Sequence, residues 1–288
     1  MLSIEAKRVY DDQGGVTEAY VASGVGLVRV KIANDIVGEF GLVKRCHARD
    51  VAADGRTVAV ATDEDVLVSA RKDDEETVEP TDFGPAVSVG YADGDLLAAS
   101  PEGRIARRRD GTWNDLEAPP LEVRAIDGDL LATDEGVFRV LGDGLTHAGL
   151  EDARDVSTAG VPLAASVEGL YKLGNGWMRE FEGAVDVVAA DPRNEPGDLE
   201  VAHAGAGADI YAYDDGEWLE LPPTTGSVAA IGHGETVYAV TDDGTFLVAG
   251  EAGELSDVNR SPTEAAGQWW RSRTLGVTDV RGLAVPDR

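Results

Sequence analysis

The sequence predicts an all-β fold, a seven-bladed β-propeller of four-stranded blades, and three observations predict it. The first is a five-residue strand pattern that recurs seven times. It reads GLVRV from Gly26, DVLVS from Asp65, GRIAR from Gly103, GVFRV from Gly136, GLYKL from Gly169, DIYAY from Asp209 and GTFLV from Gly244. The copies fall 33 to 40 residues apart, which is the repeat length of a propeller blade. The second is a short strand ahead of each copy: EAYVAS, TVAVAT, DLLAAS, DLLAT, PLAAS, DLEVA and TVYAVT. Asp-Gly and Glu-Gly turns join the two, which is hairpin chemistry.

The third observation is an acidic residue or Ser followed by Val. It occurs at Asp50, Ser88, Glu122, Asp155, Asp186, Ser227 and Asp279, and each is read as opening an innermost strand. Six lie between successive strand pairs, and the seventh follows the last pair. The N-terminal pair has none ahead of it. The C-terminal strand is therefore expected to join the N-terminal blade and close the ring, which removes open sheet edges. A fourth strand completes each blade, and in three it opens on Trp (DGTW, NGW, DGEW). The chain reads as a single domain, 1–288, with its last blade formed by 277–288 plus 1–42. A ring grows by neighbour contacts, so its length needs no second core.

The Trp turns resemble degenerate Asp boxes, and AADPRNEPGDLEVA (189–202) is similar to the strand signature of Asp-box propellers. Such repeats occur in sialidases, Vps10-type sorting receptors and photosystem assembly factors, and blade by blade the chain resembles a haloarchaeal propeller family. The resemblance implies blade architecture and no activity. Arg108 and Tyr213 stand where the full motif has a hydroxyl.

Charge points to habitat. The net charge is −29, and only five of the 25 basic residues are Lys. Evenly spread carboxylates keep a protein hydrated in concentrated salt, where their repulsion is screened. Such a surface gives no support to a nucleic-acid partner. The single Cys46 excludes an internal disulfide, and beside His47 on an extended segment it is poorly placed to pair with that ring. The sequence shows no apolar leader core and no run of 18 apolar residues, so a cytoplasmic protein without membrane contact is expected.

Four features are candidate sites. Asp50, Glu122, Asp155, Asp186 and Asp279 head inner strands and would form a collar that could hold a cation in the central channel. The plainer reading is that each caps its own loop. Arg49 and Arg154 match in HARDV and DARDV, with Arg124 and Arg281 two residues further along their strands, a cluster suited to carboxylates. Arg104 and Arg107, in GRIARRRDG, form a basic run that either binds an anion or guards a strand edge. Finally, 260–276 reads as an insertion before the closing strand, on the ligand-prone face. It carries Trp269, Trp270, Arg271 and Arg273, the composition of an interface anchor or of a blade core.

No sequence motif for a metal, phosphate or nucleophile is present, so no cofactor is expected. The leading functional reading is a non-catalytic scaffold with a protein partner. A hydrolase or lyase acting on a carboxylate- or sugar-bearing substrate, and a cation- or small-ligand-binding propeller, are the alternatives.

Overall fold

The computed structural model describes residues 15–72, 75–250 and 269–287, and all of its sheets are antiparallel and four-stranded. The first blade contains β1 (Thr17–Ser23), β2 (Gly26–Ala33) and β3 (Ile36–Lys44). The second is β4 (Ala48–Asp54), β5 (Thr57–Thr62), β6 (Val66–Lys72) and β7 (Glu75–Pro80). The third is β8 (Ser88–Ala92), β9 (Asp95–Ala99), β10 (Ile105–Arg109) and β11 (Thr112–Asp115). The fourth is β12 (Val123–Asp127), β13 (Leu130–Thr133), β14 (Gly136–Leu141) and β15 (Gly144–Gly149). The fifth is β16 (Asp155–Ser157), β17 (Leu163–Ala165), β18 (Gly169–Leu173) and β19 (Trp177–Glu182). The sixth is β20 (Val187–Ala190), β21 (Ala202–Ala206), β22 (Asp209–Asp214) and β23 (Glu217–Glu220). The seventh is β24 (Val228–His233), β25 (Val237–Thr241), β26 (Thr245–Ala249) and β27 (Trp270–Thr274). The last strand, β28 (Gly282–Ala284), returns to the first blade as its innermost strand. The fold is the expected seven-bladed propeller.

The recurring pattern now has a cause. Six second strands end in Ser or Thr or are followed at once by Ser, and the hydroxyl closes the turn into the third strand. Ser23 Oγ donates to the Gly26 carbonyl at 2.8 Å, Thr62 Oγ1 to Asp65 at 2.7 Å and Thr133 Oγ1 to Gly136 at 2.7 Å. Ser166 and Thr241 do likewise, while Ser100 Oγ accepts the Arg104 N–H at 3.1 Å. The Gly that opens the third strand answers a close approach. A Cβ at Gly26 would lie 2.1 Å from the Lys44 carbonyl, and one at Gly136 would lie 2.3 Å from the Leu150 carbonyl. The Lys44 carbonyl ends the outer strand, and the Leu150 carbonyl begins the chain crossing to the next blade. Asp65 replaces Gly in the second blade. There the crossing bends around it, and its Oδ1 accepts the N–H groups of Phe83 (2.9 Å) and Gly84 (3.1 Å).

Trp marks the seams between blades. Trp113 Nε1 donates to the Thr81 carbonyl at 3.1 Å, and Trp177 Nε1 to that of Ala148 at 3.0 Å. Trp218 Nε1 donates to Glu180 Oε2 at 3.2 Å, and Trp270 Nε1 to the Pro222 carbonyl at 3.1 Å. Each acceptor lies on or just after the outer strand of the preceding blade. The indole thus packs its apolar body into one blade and ties its polar tip to another.

Three sequence expectations are corrected. DLEVA does not form a strand; β21 starts where it ends, because Asp191–Val201 is a loop pinned by Asn194, whose Nδ2 donates to the Val201 carbonyl at 2.9 Å. The closing strand begins at Gly282 rather than Asp279, which has a φ of 55°. The segment with the Trp pair does not precede the closing strand as an insertion. Trp270–Thr274 is the outer strand β27, and Leu275–Arg281 alone makes the crossing. The paired ends of β26 and β27, Ala249 and Trp270, lie on the face opposite that crossing. Residues 260–268 of the segment lie outside the described residues.

Trp270 is 5% exposed and sits in the core between the sixth and seventh blades, whereas Trp269 is half-buried and packs at its rim. Trp270→Ala is therefore expected to cost about 3–5 kcal/mol of unfolding free energy in a denaturant titration. Trp269→Ala should cost less than half as much; equal losses would show that Trp270 is not the seam's anchor.

The arginine-lined mouth as candidate functional site

The seven inner strands run side by side around a central channel of about 510 Å³. Its walls are largely small residues, among them Ala52, Gly90, Ala125, Ala189, Ala230 and Gly282. One mouth lies where the inner strands begin. Strand register defines the levels of the ring there. The residues paired with the second strand just before its closing turn are Asp50, Ser88, Ala125, Asp155, Val187, Ala230 and Gly282. One residue earlier, nearer the mouth, come Arg49, Val87, Arg124, Arg154, Asp186, Ala229 and Arg281.

Two readings change. The four arginines stand at one level, and the sequence offset of Arg124 and Arg281 disappears. The acidic collar disperses: only Asp50 and Asp155 share a level, Asp186 stands one residue nearer the mouth, and Glu122 and Asp279 are exposed outside the channel wall. The reason is that the inner strands do not start at a fixed distance from the Val: β20 starts at Val187 itself, β28 starts only at Gly282 after Asp279 with its φ of 55°, and three other strands pair irregularly at their starts. Register shifts occur between Ala48 and Asp50, Val123 and Ala125, and Val228 and Ala230, so a fixed distance from a Val does not fix a level.

Asp50 and Asp155 stitch one blade to the next. Neighbouring inner strands belong to different sheets, so their facing N–H groups need side-chain acceptors. Asp50 Oδ1 accepts its own blade's Val51 N–H at 2.8 Å, and Oδ2 accepts Ser88 Oγ (2.7 Å) and the Val89 N–H (3.0 Å) of the next blade. Asp155 repeats this with Val156 (2.9 Å) and Val188 (2.8 Å). Asp127 does so with the N–H of Thr158 at 2.6 Å, a role with no signal in the sequence, where the residue reads as part of an Asp-Gly turn. Half-buried by accessible area, Asp50 and Asp155 still stand in a narrow channel with protein on every side. Burial raises Asp50 to about 6, against the hydrogen bonds from Ser88, Val89 and Val51. It raises Asp155 to about 7, with the charges of Asp127 and Asp50 adding to it. Among the described residues no three His, Cys, Asp or Glu side chains gather closely enough to hold a metal ion.

Acidic neighbours orient three of the arginines. Arg124 Nη1 donates to Asp152 Oδ1 at 2.7 Å and to the Ala153 carbonyl at 3.0 Å. Arg154 Nη1 pairs with Asp186 across a blade boundary, and Arg281 Nη2 meets Asp279 Oδ1 at 2.6 Å. His47 also bonds Asp279, at 3.1 Å, and not Cys46, whose thiol burial pushes up. Arg49 is exposed and makes no ion pair or hydrogen bond among the described residues.

The remaining candidates lie elsewhere. Arg104 bonds Asp115 Oδ1 (2.7 Å) and the Phe83 carbonyl (2.9 Å) and lies over the Phe83 ring, while Arg107 stands 4.0 Å from Asp95. Arg271 meets Asp35 at 2.5 Å, and Arg273 lies over Phe40, so both span the seam between the seventh and first blades. At the far end of the channel the structure brings together residues scattered in sequence. His203 and His233 have ring centroids 5.0 Å apart, and His233 Nδ1 is 3.7 Å from Asp191. Burial lowers His203 to about 3 and also lowers His233, so both rings are neutral at neutral pH.

Ring, blades and channel define the chain as a seven-bladed β-propeller. It belongs to the family described as Beta-prop_HVO_0234-like, beta propeller, whose model matches residues 3–286. No curated protein matches it. Among solved structures it is similar to a chain of a nidogen/laminin complex, at 10% identity and TM-score 0.57 over 93% of this chain and 98% of that one. It is also similar to the WD40 propeller domain of Doa1, at 16% identity and TM-score 0.57, covering 73% and 81% of the two chains. YCF48 bound to a D1 peptide gives 15% identity and TM-score 0.53, covering 73% and 79%. Identities this low establish the shared fold alone.

The raised Asp155 carboxyl fixes a sign. Its folded pKa, about 7, lies above the ordinary 3.8, so the native state holds its proton where the unfolded chain has released it. The stability it contributes is complete below about pH 4 and is lost as pH rises to about 7. In chemical melts at constant salt, Asp155→Asn should therefore gain on the parent protein between pH 4.5 and pH 7.5. A difference that does not vary with pH would show a carboxylate ionised throughout.

Proposed function

We propose that this propeller is a non-catalytic protein-interaction scaffold that holds its partner over the arginine-lined mouth. One observation carries the reading: four of seven inner strands place Arg at the same level around one channel mouth, on a chain whose net charge is −29. In an acidic protein most arginines are consumed by ion pairs, yet Arg49 points out with no partner among the described residues. Similar folds occur in complexes with other proteins, as the nidogen/laminin and YCF48–D1 peptide structures are described. The channel carboxylates favour neither a hydrolase nor a cation site, because Asp50 and Asp155 each give both oxygens to backbone N–H groups. The carboxylate-rich surface suits the cytoplasm of a salt-adapted cell, where screening suppresses its repulsion.

The test is affinity purification from the native host in molar KCl. A stoichiometric protein should accompany the parent protein and Arg56→Glu, a change in a turn on the opposite face, and should be lost with Arg49→Glu. Arg49 has no structural partner to lose, so the variant should fold. Retention by all three proteins, or no partner for any, would overturn the reading. The purified protein should also melt at higher temperature as KCl rises; a melt indifferent to salt would remove the salt-adapted habitat.

A further inference from the structure

The arginines are not spread evenly around the mouth. In ring order the blades present Arg281, Arg49, Val87, Arg124, Arg154, Asp186 and Ala229. Arg281 and Arg49 are thus neighbours, as are Arg124 and Arg154. The centres of the two pairs lie three sevenths of a turn apart, nearly opposite across the opening. Resting on the mouth being the ligand face, we propose that it recognises two carboxylates at once, one on each arginine pair.

Donor accounting supports this. A guanidinium has five N–H groups arranged as a fork that matches a carboxylate. Arg281 is held through Nη2, and Arg124 and Arg154 through Nη1, which leaves the other terminal nitrogen of each available. Asp279, Asp152 and Asp186 therefore act as positioning residues that fix three forks in advance. Arg49 brings an uncommitted cation to the first pair.

The other levels select the ligand. Asp50 and Asp155 line the channel one level below the arginines and already take the facing N–H groups on both oxygens, so that level offers an anion no donor and the ligand stays at the rim. At one arginine pair a dianionic phosphate would meet stronger repulsion than a single carboxylate from Asp152, Asp186 and Asp279, the acids already on the arginines. A long polyanion would meet the whole acidic surface. A channel of about 510 Å³ lies within the usual range for small-ligand pockets and is far too small for a folded domain. The two carboxylates come either from acidic side chains of an extended partner segment or from a free di- or tricarboxylic acid.

Calorimetry at fixed KCl separates these sources. The probes are citrate, succinate, acetate, inorganic phosphate, and a six-residue peptide with two Glu compared with its Gln counterpart. Citrate or the Glu peptide should bind with one-to-one stoichiometry, at least tenfold more tightly than acetate or phosphate. Arg49→Gln and Arg154→Gln should each weaken binding at least tenfold, and Arg56→Gln should leave it unchanged. Binding of the Glu peptide alone assigns the carboxylates to a partner's side chains, and binding of citrate or succinate assigns them to a free acid. Acetate or phosphate binding as tightly as citrate, binding insensitive to Arg49→Gln, or no binding by any carboxylate probe would overturn the proposal. Should Arg49→Glu still abolish partner capture in that case, the scaffold reading would survive and paired-carboxylate recognition alone would fail.

Discussion

Everything in this molecule depends on one pairing between its two ends. A blade is a four-stranded sheet that cannot bury both faces alone, so each needs a neighbour on either side. Seven blades satisfy that need when the last meets the first. Here Tyr20, Val21 and Ala22 of β1 pair with Ala284, Leu283 and Gly282 of β28. Bonds beyond the strands extend the closure: the Gly24 N–H reaches the Thr278 carbonyl at 3.1 Å, and the Asp287 N–H reaches Gly55 at 2.9 Å. The core at this junction combines Ala19, Val21 and Val30 with Tyr238, Phe246, Val277 and Val280, so residues from both termini and the seventh blade are buried together. Losing the pairing would expose that cluster and an unpaired edge along β1.

Closure also creates the channel and sets its chemistry. Inner strands of different sheets cannot complete each other's backbone ladders, so carboxylates of one blade accept N–H groups of the next. Those acids are buried in the channel wall and resist ionisation, and with both oxygens occupied they are structural. The level above is free of that task, and its side chains face the mouth without closing the ring. Asp152, Asp186 and Asp279 hold three arginines there and leave Arg49 extended. The same acid-rich composition thus serves two ends: it stitches blades inside and orients cations at the rim.

Blade number, strand order and closure were all legible in the sequence, because they rest on local chemistry that repeats. A Gly must lie under a crossing chain, a Ser or Thr must close the turn before it, and apolar residues must alternate along each strand. The level of each residue in the ring was not legible. Asp279 and Glu122 match Asp50 by their following Val, yet a register shift between Val123 and Ala125 puts Glu122 outside the channel, and Asp279, with a φ of 55°, lies in the crossing ahead of β28. Trp270 is another case. Its place after a long segment left an interface anchor and a blade core both open, and it proves to be the fourth member of the series Trp113, Trp177 and Trp218, each of which ties an outer strand to the preceding blade. The His203–His233–Asp191 cluster had no local signal, since its members come from three strands or loops joined only by the fold.

Native-state hydrogen exchange at the junction tests the closure most directly. If the ring depends on this pairing, the amides of Tyr20 and Ala284, which face each other across it, will open only with the whole molecule. Their protection will then equal that of central second-strand amides such as Val60 and Leu131, with the same dependence on denaturant. If instead β28 frays as an independent tail, Ala284 will exchange far faster than Val60 and without that dependence. That result would contradict a ring held by its closing strand.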